Sequence, residues 1–93
     1  MIKSFRDKET KKIFDGEYSK KFPPELQQIA RRKIDMVDLA NKISDLSVPP
    51  SNRLEQLFGD RKGQWSIRVN DKYRICFEWT KNFAENVELV NYH

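Results

Sequence analysis

The stretch QWSIRVNDKYRICFEW, residues 64–79, decides the fold of this chain. Apolar and polar residues alternate on both sides of Asn70-Asp71-Lys72, and such alternation is typical of strands with one buried face. The apolar positions are Trp65, Ile67 and Val69 before the triplet, and Tyr73, Ile75, Phe77 and Trp79 after it. The pattern therefore predicts a β-hairpin.

The register of this hairpin follows from keeping both apolar sets on one face. Val69 must then face Tyr73 across a three-residue loop, and Arg68 must lie opposite Arg74. A two-residue loop would instead bring polar groups into the core, which costs free energy. The sequence therefore predicts two directly opposed arginines on the polar face.

Opposed like charges are unfavourable, so the arginine pair needs an explanation. The polar neighbours on the first strand supply no anion, although Glu78 could partly neutralise one of the two guanidinium groups. The alternative is that Arg68 and Arg74 together hold an external anion such as a phosphate, for which the planar guanidinium fork is suited.

Helical patterns precede the hairpin. Asp7 is expected to cap a helix over residues 8–14, which Gly16 ends. A second helix is expected to begin at Pro23-Pro24, with one apolar stripe and a solvated basic face at residues 31–33. The stripe consists of Leu26, Ile29, Ala30, Ile34, Val37 and Ala40.

Three further segments complete the expected fold. Residues 2–5 alternate as an edge strand, residues 45–52 contain Pro49-Pro50 and form a loop, and a last strand runs from Phe83 to about Val90. The prediction is one α+β domain over residues 1–93, with the N-terminal strand and two helices packed on one face of an antiparallel sheet.

Composition limits the possible functions. A chain of 93 residues is too short for a large enclosed cofactor cavity, so any site should lie in an open groove. Eighteen Lys and Arg against fourteen Asp and Glu give a net charge of +4, which favours a polyanionic partner. A single cysteine, Cys76, and a single histidine, His93, indicate a reducing cytoplasm and no metal site. No apolar stretch suits a signal peptide or a membrane span.

Basic residues cluster around the hairpin. Arg53, Arg61 and Lys62 precede it, and Tyr73 lies between the two arginines of the pair. Phosphates meeting basic side chains, with bases stacking on aromatics, are the usual arrangement for single-stranded RNA. We therefore expect these four residues to bind RNA. Cys76 sits within a strand, without a basic partner for thiolate formation, and is interpreted as a buried small residue.

Three motifs carry a resemblance to a known family. They are RLxxLxGDxxGxWSIRV over residues 53–69, YRICF over residues 73–77 and NYH over residues 91–93. Together they resemble the HigB toxins of the RelE/ParE superfamily, and the likeness extends over nearly the whole chain.

The resemblance implies a toxin of a type II toxin–antitoxin pair that cuts mRNA in the decoding site of the 70S ribosome. It implies cleavage without metal or other cofactor, in the cytoplasm and away from membranes. It also implies a HigA-like antitoxin with a helix-turn-helix, through which alone the toxin would meet operator DNA.

The resemblance also implies roles for individual residues. Cleavage by the ribose 2′-hydroxyl needs a base, an acid and cations that stabilise the charge growing on the phosphate. Arg74 matches the arginine that clamps the phosphate in this family, and Arg68 suits the same task. Tyr92 and His93 match the C-terminal pair that completes the site. Asn91 stands where related toxins often have aspartate, and we expect it to bind RNA.

The chain departs from the best-known members before its first glycine turn. Those members read Leu-His-Pro-Leu-Lys-Gly, where this chain has Glu55 in place of the histidine and Phe58 in place of the lysine. Glu55 is the natural substitute as base, although a carboxylate is a weaker base than imidazole. We therefore expect a slower or more strictly ribosome-dependent nuclease.

Two other functions remain open at this stage. A ParE-like inhibitor of DNA gyrase would share the fold and act by protein contact, although the NYH terminus favours the nuclease. A corepressor that only joins its antitoxin on DNA is the second alternative, and the changes at Glu55 and Phe58 leave room for it.

Overall fold

The computed structural model describes residues 1–92 of the chain. It contains two α-helices, α1 (Lys8–Phe14) and α2 (Pro24–Leu39), followed by four strands. The strands are β1 (Glu55–Gln56), β2 (Gln64–Arg68), β3 (Tyr73–Thr80) and β4 (Phe83–Asn91). They form one sheet in the order β1-β2-β3-β4, with every neighbouring pair antiparallel. The α+β architecture expected from the sequence is confirmed.

The first helix begins and ends as its sequence predicts. The Asp7 carboxylate accepts a hydrogen bond of 2.7 Å from the backbone N–H of Thr10, which satisfies a donor of the first turn. Gly16 follows the helix with φ at +82°, a left-handed conformation that suits glycine. The chain can therefore turn back towards α2 there.

The apolar stripe of α2 faces the sheet. Leu26, Ala30, Ile34 and Val37 are buried, and they join Ile67, Ile75 and Phe77 in one core. Such burial is the main source of stability in a domain of this size.

The basic face of α2 is solvated at Arg31 and Arg32, but Lys33 departs from the prediction. Its ammonium donates a 2.6 Å hydrogen bond to the side-chain oxygen of the buried Asn52. Burial, with Arg32 and Arg68 nearby, lowers the pKa of Lys33. Lys33 therefore supports the loop that the sequence predicts over residues 45–52. That segment winds into 3₁₀ turns at Ile43–Ser47 and Pro50–Asn52.

The hairpin register is the predicted one. Arg68 lies directly opposite Arg74, and the backbone N–H of Val69 donates to the carbonyl of Tyr73 at 2.9 Å. In the connecting loop, the Asn70 side-chain oxygen accepts hydrogen bonds from the backbone N–H groups of Lys72 and Tyr73.

The N-terminal segment forms less strand than expected. Ile2 and Phe5 make only isolated parallel bridges, to Ala84 and Val87 of β4. The physical reason is an irregularity in β4, where Asn86 adopts a left-handed φ of +53° and interrupts continuous pairing. The segment still lies at an edge of the sheet, as the sequence predicts, and the structure shows that this edge is formed by β4. No helix within residues 1–92 is long and apolar enough to cross a membrane.

Candidate active site

The polar face of the sheet carries a cleft at the end formed by the β2–β3 hairpin. The cleft has a volume of about 300 Å³ and is open to solvent. Its lining residues are Arg53, Glu55, Arg68, Asn70, Asp71, Arg74 and Tyr92. Three arginines against two carboxylates, 3 − 2, leave the lining with a formal net charge of +1.

Arg74 is held in place by two neighbouring elements. Its Nε donates a 2.8 Å hydrogen bond to Oγ of Ser66 on β2. Its Nη2 donates a 2.6 Å hydrogen bond to the carbonyl of Arg53, a residue with a left-handed φ of +45°. The guanidinium carbon also lies 5.8 Å from the centre of the Tyr92 ring, within the range of a cation–π contact. The guanidinium group therefore has a defined orientation in the cleft.

Arg68 has a different partner. Its Nη2 pairs with the carboxylate of Asp71, three residues further along in the loop. The Asp71 side chain is 95% exposed, and ion pairs in water contribute little to stability. An entering phosphate can therefore compete with Asp71 for Arg68.

The prediction that Glu78 partly neutralises one arginine of the pair is wrong. The Glu78 carboxylate accepts a 2.9 Å hydrogen bond from the amide of Asn86 and lies 3.8 Å from the Arg6 guanidinium. Glu78 pairs in register with Gln64, at the other end of β2 from Arg68. Asp71 takes the role instead, and only its spacing of three residues from Arg68 could have pointed to it.

Glu55 reaches the cleft through the short strand β1. It pairs directly with Ser66, and directly opposed residues of a sheet point to the same face. Its side chain therefore lies on the face of Arg74, exposed to solvent. Arg53 comes to the same cleft from the turn before β1.

Tyr92 lies beside the cleft, directly after β4. The backbone N–H of Tyr92 donates a 2.7 Å hydrogen bond to the carbonyl of Lys72, which ties the end of the chain to the hairpin loop. The Tyr92 side chain lines the cleft as predicted. His93 lies outside the described residues, so its role stays a prediction.

Of the five residues predicted to bind RNA, Arg53 lines the cleft and the other four do not. The Arg61 guanidinium is paired with Glu88 at 3.2 Å, and Lys62 is exposed at the turn before β2. Tyr73 packs edge-on against Phe22, with ring centres 6.1 Å apart, because its position in β3 faces the helices. Asn91 is opposite Tyr73 in the register and so belongs to that same face.

Cys76 is buried, as its sequence context predicts. Burial raises the pKa of its thiol, so the protonated form predominates at neutral pH. Cys76 therefore offers no nucleophile to the cleft. Across residues 1–92, no group of three or more His, Cys, Asp or Glu side chains could hold a metal ion.

The sheet, its covering helices and this cationic cleft are the features of a small RelE-like toxin. Residues 3–93 match the family described as the RelE-like toxin of type II toxin–antitoxin system HigB. The chain belongs to this family of HigB-like toxins, which confirms the resemblance seen in its motifs.

Individual relatives share the full length of the domain. Toxin HigB-1 of Vibrio cholerae is 38% identical over 90 residues, covering 96% of this chain and 95% of that protein. Endoribonuclease HigB of Proteus vulgaris is 31% identical over 93 residues, covering 100% of both chains.

Proposed function

We propose that this toxin is an endoribonuclease that cuts mRNA on the ribosome, with Arg74 holding the scissile phosphate. The observation that carries the proposal is the geometry of Arg74. Its Nε and Nη2 are bonded to Ser66 and Arg53, whereas its Nη1 has no hydrogen-bond partner among residues 1–92. Two anchored nitrogens and one open nitrogen suit a group that presents donors to an anion.

The reaction proposed is attack of a ribose 2′-oxygen on the adjacent phosphorus. A bond forms between the 2′-oxygen and phosphorus, and the bond to the leaving 5′-oxygen breaks. The products are a 2′,3′-cyclic phosphate and a 5′-hydroxyl. Negative charge grows on the phosphoryl oxygens in the transition state, where the guanidinium groups of Arg74 and Arg68 stabilise it. The chain supplies this stabilisation from its own side chains, without a metal ion.

Two proton transfers accompany the attack. Glu55, on the same face as Arg74, is the proposed base that accepts the proton of the 2′-hydroxyl. Tyr92 and His93 are the proposed pair beside the leaving 5′-oxygen, and one of the two donates the proton that this oxygen takes up. Arg53 is the proposed contact to a neighbouring phosphate.

The name of the Proteus vulgaris relative, an endoribonuclease, supports the activity. A toxin of a type II system has a cognate antitoxin, and we propose a HigA-like protein with a helix-turn-helix that brings the complex to operator DNA. The proposed substrate is mRNA bound to the 70S ribosome in the cytoplasm.

Induced expression in cells tests this function. The nuclease proposal predicts fast arrest of amino-acid incorporation, which the Arg74→Ala variant fails to produce. The control is Lys20→Ala, which removes one positive charge as Arg74→Ala does. Lys20 is exposed and lies between α1 and α2, outside the cleft. An SOS response without loss of mRNA would instead indicate gyrase poisoning and contradict the proposal.

A further inference from the structure

We propose that Ser66 is a positioning residue for this reaction: its hydroxyl fixes the orientation in which Arg74 meets the phosphate. This inference rests on the proposed function of Arg74. Ser66 itself is 0% exposed and therefore makes no contact with RNA.

The polar face of the sheet makes such an anchor necessary. Arg68 stands directly opposite Arg74, and the two positive charges repel each other. Arginine also has a long side chain with many rotamers, so an unanchored guanidinium would spend little time in one orientation. The Arg68 group is drawn towards Asp71 in the loop, and Arg74 turns the other way, towards Ser66 and Arg53.

Ser66 contacts Arg74 at Nε, the nitrogen that joins the guanidinium group to the rest of the side chain. The hydroxyl accepts from Nε at 2.8 Å, and the Ser66 carbonyl lies 3.5 Å from Nη2. With the Arg53 carbonyl at 2.6 Å, the Nε and Nη2 edge of the guanidinium plane is fixed against protein. Nη1 is then the guanidinium nitrogen left to donate hydrogen bonds to a phosphate.

The buried position makes this hydroxyl effective. A hydrogen bond to a charged group is stronger than one between neutral groups, and it gains further strength away from water. No buried side-chain nitrogen or oxygen within residues 1–92 lacks a hydrogen-bond partner. Removing the Ser66 oxygen would take away the partner of Nε and loosen the guanidinium group.

The test is a double-mutant cycle of Ser66→Ala and Arg74→Ala. Single-turnover cleavage is measured on 70S ribosomes programmed with a defined mRNA. Ser66→Ala should lower the cleavage rate constant by about 10- to 100-fold, with a smaller change in the half-saturating enzyme concentration, since orientation matters most in the transition state. In the Arg74→Ala background the same change should have no further effect.

Matched variants separate positioning from a general loss of structure. Ser19→Ala removes another fully buried hydroxyl, one that donates to Glu9 on the helical side, and should leave the cleavage rate unchanged. Ser66→Thr keeps the acceptor oxygen, whereas Ser66→Val has the same shape without it. Threonine should therefore retain much more activity than valine, even if both variants unfold at a lower temperature.

Two results would overturn the inference. One is equal activity of the threonine and valine variants, and the other is an equal loss from Ser66→Ala with and without Arg74. Failure of the proposed function gives different results: either the unmodified protein does not cleave the mRNA, or Arg74→Ala cleaves it as fast as the unmodified protein does.

Discussion

The two faces of the β2–β3 hairpin differ in composition although they share the same backbone. On the covered face, Ile67 lies opposite Ile75, and both are 0% exposed beneath the helices. One position along each strand, Arg68 lies opposite Arg74 on the open face. The apolar pair stabilises the fold, whereas repulsion between the two guanidinium groups destabilises it. Asp71 binds the Arg68 group, and Ser66 and Arg53 bind the Arg74 group. Within one hairpin, the residues that stabilise the fold and the residues proposed for catalysis therefore lie on opposite faces of the sheet.

The largest expected effect lies on the covered face. Phe77→Ala removes a fully buried ring from the core and should lower the free energy of unfolding by about 3–5 kcal/mol. Urea unfolding followed by tryptophan fluorescence measures this loss. Unchanged stability of this variant would contradict the claim that the covered face is the one that stabilises the fold.

A change on the open face should affect the reaction instead. Glu55→Gln removes the proposed base from an exposed position and should lower the cleavage rate constant by about 100-fold or more. The midpoint of urea unfolding should stay the same, because the side chain is not packed in the core. Full activity of Glu55→Gln would exclude the carboxylate as base.

A smaller effect is expected when the residues of better-known HigB toxins are restored. The double variant Glu55→His, Phe58→Lys supplies a stronger base and one more cation, and Phe58 is 79% exposed, so the exchange should be tolerated. We expect faster initial cleavage of one mRNA on programmed ribosomes, on the order of 10-fold. Equal initial rates would contradict the proposed role of these two positions.

The smallest expected effect is on stability and concerns Cys76. Its side chain is on the same face of the sheet as Arg74, but it is fully buried. Its raised pKa disfavours the thiolate in the folded state, so stability should fall as the pH rises above the pKa of the unfolded thiol. Native protein should react with iodoacetamide much more slowly than urea-unfolded protein at pH 8. Rapid alkylation of the native protein would mean that the face is open there too.

Much of the fold could be predicted because alternation and capping are local signals. The register of Arg68 with Arg74 followed from side-chain parity, and the first helix from Asp7 and Gly16. The same parity assigns Tyr73 to the covered face, so its assignment to RNA conflicted with the predicted register. The ion pair of Arg61 with Glu88 could not be predicted, because the two residues are 27 positions apart in the sequence. The pairing of β4 with β3 is also irregular before Glu88, so alternation alone does not give its position.

The hydrogen-bond partners of Arg74 could not be predicted from the sequence either. Ser66 and Arg53 become its partners only through side-chain direction and the left-handed turn at Arg53, which local patterns do not reveal. The sequence predicts that Arg68 lies opposite Arg74, but it does not predict that each guanidinium group binds a different partner.

Primer extension on mRNA from purified ribosomal complexes tests the central claim most directly. The unmodified protein and Lys20→Ala should give the same new 5′ ends within the ribosome-covered codons, and Arg74→Ala should reduce their rate of appearance by about 100- to 1,000-fold. Undiminished cleavage by Arg74→Ala would show that the phosphate is not held at the arginine pair.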